Sequence, residues 1–146
     1  MKITQAILDE LTAKAKESPR LPMNLDLRDS AEDTSQRMLN AIEPGSPLPI
    51  HRHQNTSETV VCLRGRLVEE YYQELNVDSL EFKDSSNGSE VQKIQEIELS
   101  PNGPVVALNI PAGQWHMVRA LESGSVILEM KEGAYEPLQD CDVLKM

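Results

Sequence analysis

Ile3, Ile7, Leu8 and Leu11 recur at helical spacing in an otherwise polar stretch, which predicts an amphipathic helix over residues 3–17, ended by Ser18-Pro19. From Arg20 to Asp33 the chain carries no apolar period and reads as irregular. Beyond it, apolar residues alternate with polar ones or come in short bursts. These predict strands at Gln36 to Ile42, Thr59 to Leu63, Leu67 to Tyr72, Val91 to Leu99, Pro104 to Ile110, His116 to Leu121 and Ser125 to Lys131. The clearest is TVVCL at 59–63, closed by Arg64-Gly65-Arg66, with Leu67 to Tyr72 expected as its hairpin partner. Pro47 to His53 is extended, its prolines suiting an edge segment. Turn signals stand at Glu43-Pro44-Gly45-Ser46, Pro101-Asn102-Gly103 and Ser123-Gly124, and at Asp84 to Gly88 inside the polar run Asn76 to Glu90. Short strands, glycine and proline turns and no crossover helices argue for an all-β chain, an antiparallel barrel or sandwich behind one short N-terminal helix.

Composition narrows this picture. A chain of 146 residues can bury a core without staples, so the expectation is residues 1–20 as helix and connection and 21–146 as one β-domain. Aromatic residues are only 3% of the total, so that core must be aliphatic. A formal charge of -10 opposes a nucleic-acid or anionic-membrane partner, because phosphates would be repelled. Cys62 and Cys141 form no CxxC pair and read as free thiols in a reducing compartment. The N-terminal stretch is charged throughout and resembles neither a signal peptide nor a membrane span, so a cytoplasmic location is expected.

All three histidines fall in one two-part pattern. The first part is Gly45-x5-His51-x-His53-x4-Glu58-x6-Gly65, and the second is Pro111-x-Gly113-x2-His116. Alternation along a strand puts His51 and His53 on one face, where both can reach one ion. Glu58 stands an odd number of positions after His53 and would point the other way on an unbroken strand. The turn formers Gln54-Asn55-Thr56-Ser57 must therefore bend the chain before Glu58 joins the set. Gly65 permits the reversal that ends the strand, and Pro111 and Gly113 make the turn that delivers His116. Three imidazoles and a carboxylate suit one divalent transition metal, with Fe, Mn, Ni, Co and Zn all open.

The pattern resembles the two cupin motifs: Gly, His, His, Glu and Gly, then Pro, Gly and His. The Gly that usually opens the second cupin motif stands slightly early, in Asn102-Gly103-Pro104, and Arg119-Ala120 replaces its closing Asn. Those departures touch turns and packing. More narrowly, the chain is similar to the WbuC-type cupin-fold metalloproteins from about Asn24 to Asp142. The likeness lies in Gln36-Arg37-Met38-Leu39-Asn40, HRH with Glu58-Thr59, Leu63-Arg64-Gly65-Arg66, IPAGQWH and Glu132-Gly133-Ala134-Tyr135. The resemblance implies a cupin jelly-roll β-barrel with a divalent metal inside, held by His51, His53, Glu58 and His116, and an association with surface-polysaccharide metabolism. It also implies a homodimer, since cupins commonly pair through barrel edges.

Other residues carry weaker expectations. Arg37, Arg64 and Arg119 are candidate anchors for an anionic ligand, although strand parity turns Arg119 away from His116. Cys62 shares the face of Glu58 and is a candidate for the cavity wall, though it reads first as a buried thiol. Tyr135 is a candidate for the cavity mouth. Trp115 should face away from His116, and Glu129, which shares parity with Ile127, reads first as an outward charge and second as a buried carboxylate supporting a ligand. Two functions stay open: a metal-dependent isomerase, lyase or dioxygenase acting on a small sugar- or keto-acid-like molecule, or a non-catalytic small-molecule-binding or regulatory module. A metal-free sugar-nucleotide epimerase ranks last, since every histidine is assigned and no free base remains.

Overall fold

The computed structural model describes residues 1–75 and 91–144. The turn expected at Asp84 to Gly88 lies outside the described residues.

Helix α1 spans Gln5–Glu17. The Thr4 hydroxyl caps its start by accepting the Ile7 N–H at 3.3 Å, which begins the helix later than expected and leaves Ile3 outside it and exposed. Leu8, Leu11, Thr12 and Ala15 form the buried stripe, and Lys14 and Lys16 sit in the last turn, where the helix dipole favours cations.

The strands are β1 (Met23–Asp26), β2 (Ser35–Ile42), β3 (Ile50–His51), β4 (Glu58–Arg64), β5 (Leu67–Glu74), β6 (Val91–Leu99), β7 (Ala107–Ile110), β8 (Trp115–Ala120), β9 (Ser125–Glu132) and β10 (Val143–Leu144). They form two five-stranded sheets, in the order β1-β2-β9-β4-β7 and β10-β3-β8-β5-β6, and all the pairings are antiparallel. The jelly-roll expectation holds as two facing sheets; among the described residues no ladder closes them into one continuous barrel.

Three expectations need correction. The stretch 20–33 contains β1, whose Met23 and Leu25 alternate with polar neighbours over too short a span to stand out. Pro47 to His53 contributes only the two residues of β3. Most consequentially, β5 is not the hairpin partner of β4. It pairs with β6 and β8 in the other sheet. Gly65, at φ +79°, turns the chain across, and a register shift between Cys62 and Arg64 loosens the end of β4. A Cβ on Gly65 would stand 2.8 Å from the Ser125 Cα, so the crossing fits only glycine.

The first sheet is buried on both faces. Its outer face offers Leu39, Ala41 and Val126 to α1. Between the sheets lies a core of Ile42, Val60, Cys62, Leu67, Leu99, Ile110, Val118, Ala120 and Ile127, aliphatic apart from the thiol, as the low aromatic content required. Towards the opposite end of the sandwich the inward residues become polar. On the first sheet the register sets Gln36, Lys131 and Glu58 in one row and Met38, Glu129 and Val60 in the next. Asn40, Ile127 and Cys62 follow in the third row. On the second sheet His51, His116 and Tyr71 make the matching row. Among the described residues no helix is long and apolar enough to cross a membrane.

Candidate metal centre

Four segments aim side chains into this polar end. His51 closes β3 directly opposite His116 on β8. His53 lies just past the strand, held by its own carbonyl, which accepts the Gly113 N–H at 2.7 Å. Gly113, at φ +82°, belongs to the turn in which the Gln114 N–H reaches the Pro111 carbonyl at 3.2 Å. The proline–glycine turn of the second motif thus fastens one histidine while delivering another. The bend at Gln54–Ser57 reorients the chain so that Glu58 opens β4 facing inward, as parity demanded.

One donor atom from each of His51, His53, Glu58 and His116 lies within 4.8 Å of all the others. Imidazole centroids are 4.3 Å apart for His51 and His116, 5.1 Å for His51 and His53, and 5.9 Å for His53 and His116. The Glu58 Oε2 atom is 3.1 Å from His53 Nε2 and 3.5 Å from His116 Nε2, yet it is buried and no donor is aligned on it in hydrogen-bond geometry. An orphaned buried carboxylate oxygen among imidazole nitrogens fits a cation as the missing partner.

The outer nitrogens fit the same role. His51 Nδ1 lies 3.2 Å from the Pro49 carbonyl, and His116 Nδ1 lies 2.8 Å from the Gln114 carbonyl. A carbonyl accepts only, so each Nδ1 carries the proton and each Nε2 is left with a free lone pair for a metal. His53 differs, because its Nδ1 faces the Lys131 Nζ at 3.2 Å.

Electrostatics favour the ligating forms of His51 and Glu58, while His116 is pulled the other way by the carboxylates beside it. Burial, reinforced by His116, depresses the His51 pKa to about 4, so the ring is neutral at pH 7. Burial would raise Glu58, but the His116 and His53 rings outweigh it and hold the carboxyl far below the usual range. At His116 burial acts downward, and Glu58 with Glu69 reverses it and raises the pKa. Deeper in, burial pushes Glu69 up to about 8 and also raises Glu129, which the nearby Glu58 and Glu69 charges raise further.

His51, His53 and Glu58 line a cavity of about 420 Å³ whose walls also include Asn40, Glu129 and Lys131. Arg37 lies at this cavity with its guanidinium engaged by Asp33 at 2.8 Å and the Ser35 carbonyl at 2.7 Å, and Tyr135 lies at the mouth, more than half exposed. Arg64 is elsewhere: it crosses to α1 and bonds Asp9 and Gln5 on the outer face. Cys62 shares the inward face of Glu58 but sits two rows deeper, in the apolar core, and is not on the cavity wall. Arg119 faces outward, as parity required, and pairs with Glu70 at 2.8 Å. Trp115 is also outward, under the Arg52 guanidinium at 4.6 Å. Glu129 corrects an expectation, since it points into the cavity. Its parity with Ile127 was the signal, outweighed by the habit of placing charge in water. Asn40, Glu69 and Lys131 escaped notice for the same reason.

A family model described as a domain of unknown function (DUF6016) matches residues 3–77, from α1 through β5, and includes three of the four clustered donors. None of the curated proteins matches the sequence. Solved structures supply the fold. CapF, crystallised with the inhibitor 3-isopropenyl-tropolone, has a TM-score of 0.58 at 19% identity, over 82% of this chain and 30% of its own. A cupin 2 domain-containing protein from Halorhodospira halophila has a TM-score of 0.50 at 14% identity, over 81% of this chain and 68% of its own. Oxalate decarboxylase from Bacillus subtilis, which holds Mn(II) centres, has a TM-score of 0.51 at 12% identity, over 86% of this chain and 28% of its own. The chain therefore spans less than a third of CapF and of the decarboxylase. At these identities the likeness is one of architecture, and the architecture is that of the cupins.

Proposed function

Because the chain belongs to the DUF6016 family, a domain of unknown function, its chemistry has to be read from the site, and we propose that it is a metal-dependent cupin protein that binds and acts on a small sugar- or keto-acid-like molecule. The observation that carries this reading is the convergence of His51, His53, Glu58 and His116, with Glu58 Oε2 buried and unpartnered at its centre. These four residues would hold one divalent transition metal. Bound there, such an ion supplies Lewis acidity towards a ligand oxygen in the adjoining cavity.

The chain's own residues do the rest. The Pro49 and Gln114 carbonyls fix two rings in the ligating tautomer, and Glu58 brings the negative charge that a cation needs. The half-buried carboxyl of Glu129, on the cavity wall, supports catalysis over mere binding, because it offers a proton-transfer group that is not itself a ligand. Within the cupins, the motif string from Gln36 to Tyr135 supports placing the chain with the WbuC-type metalloproteins, and hence with surface-polysaccharide metabolism.

Elemental analysis of protein purified without added metal tests the reading. We expect close to one equivalent of a transition metal in the wild type and its loss in His116→Ala with the fold kept by circular dichroism. A wild type that takes up no metal at any supplied concentration overturns it.

A further inference from the structure

The polar rows of the first sheet carry more chemistry than metal binding uses. Asn40 is only 9% exposed and lines the cavity, and its Oδ1 atom has no hydrogen-bond partner. A buried acceptor left without a donor destabilises the folded state. A donor arriving in the cavity would relieve it. Glu129 lies diagonally beside Asn40 on the same inward face, one strand over. At the other end of the cavity is Lys131, half-buried, with no carboxylate within ion-pair distance among the described residues. Across from these polar groups the wall is apolar, built from Leu48, Pro49 and Val118.

From this placement, and resting on the metal-centre reading above, we infer that the cavity takes a small polyhydroxylated carboxylate. Its carboxylate is received by Lys131 beside the metal cluster, its hydroxyls by Asn40 and Glu129, and its C–H face by the apolar wall. Each hydroxyl can donate, so one satisfies the Asn40 oxygen while its neighbour on the ligand reaches a Glu129 carboxyl oxygen on the same inward face. Length also selects. Lys131 and Asn40 lie two side-chain rows apart, about 13 Å by strand rise, a span that the lysine's own reach shortens. A two-carbon acid would leave Asn40 unpaired. A plain fatty acid would do the same, and a neutral polyol would leave Lys131 without its anion.

Calorimetric titration of the zinc-loaded protein with D-gluconate, D-sorbitol and hexanoate separates these terms. The expected result is gluconate binding at least tenfold tighter than either of the others. Asn40→Leu should weaken gluconate about tenfold and leave hexanoate unchanged, while Lys131→Met should weaken both acids and leave sorbitol unchanged. Zinc content and circular dichroism are measured on each variant. Sorbitol or hexanoate binding the wild type as tightly as gluconate overturns the inference whatever the variants do. Zinc-loaded protein that ignores all three probes also overturns it, while the metal-centre reading stands. Failure to load zinc or another transition metal sinks both, and is read separately from the metal content.

Discussion

At the scale of single residues, His53 is the ligand that is not ready. The Lys131 ammonium can only donate, so a ring nitrogen 3.2 Å away must accept, which leaves the His53 proton on Nε2, the atom turned to the cluster. Ligation through Nε2 needs that proton on Nδ1, so Lys131 has to turn away as a cation enters. Lys131→Met should therefore bind metal more tightly than the wild type, by about three- to tenfold in a chelator-competition titration. Weaker binding would mean that the lysine supports the ligand set. Glu69 offers a second test. It is 2% exposed with one unpartnered oxygen, and its pKa stands at about 8. The unfolded chain releases this proton near 4.5 and the folded chain only near 8. Stability from this group is thus fully present below pH 4.5 and is lost as pH rises to 8. In metal-free protein, Glu69→Gln should raise the melting temperature at pH 8 and leave it nearly unchanged at pH 4.5. An equal effect at both pH values would contradict the buried acid.

At the scale of elements, the sequence announces strands better than it announces partners. Alternation located β2, β4, β8 and β9 closely, because each buries one face, or both, over several residues, while β6 was placed by its spaced apolar residues although only Leu99 is buried. It also required the bend between His53 and Glu58. It could not show that β5 changes sheets, because local pattern is the same whether a strand returns beside its neighbour or crosses to face it. Tertiary packing decides it, through the close approach of Gly65 to Ser125. Gly65→Ala adds positive-φ strain to a clash with backbone, and should cost about 2 kcal/mol or more in urea unfolding. A cost under 0.5 kcal/mol would show that the crossing tolerates a side chain. The ligand set was legible because histidine occurs nowhere else in the chain. The polar floor was not, because Asn40, Glu129 and Lys131 are residue types that mostly face water.

At the scale of the whole molecule, the cluster ties distant parts of the chain together. The C-terminal β10 pairs with β3 opposite His51, and Asp142 accepts from the Arg52 side chain at 3.0 Å, between two of the ligands. Binding at such a site stabilises the folded state alone. At a hundredfold excess over its dissociation constant, a metal should add about 2.7 kcal/mol and raise the melting temperature by about 5–10 °C. An unchanged melting temperature at saturation would mean that the ion binds elsewhere, or equally to unfolded chain. Anomalous diffraction from a crystal of metal-loaded protein, recorded at the absorption edge of the ion, tests the central claim most directly. The account predicts one dominant peak about 2.0–2.3 Å from the Nε2 atoms of His51, His53 and His116 and from a Glu58 carboxylate oxygen. A peak bound by other residues, or a fully loaded crystal in which His116 stays outside the coordination sphere, would contradict it.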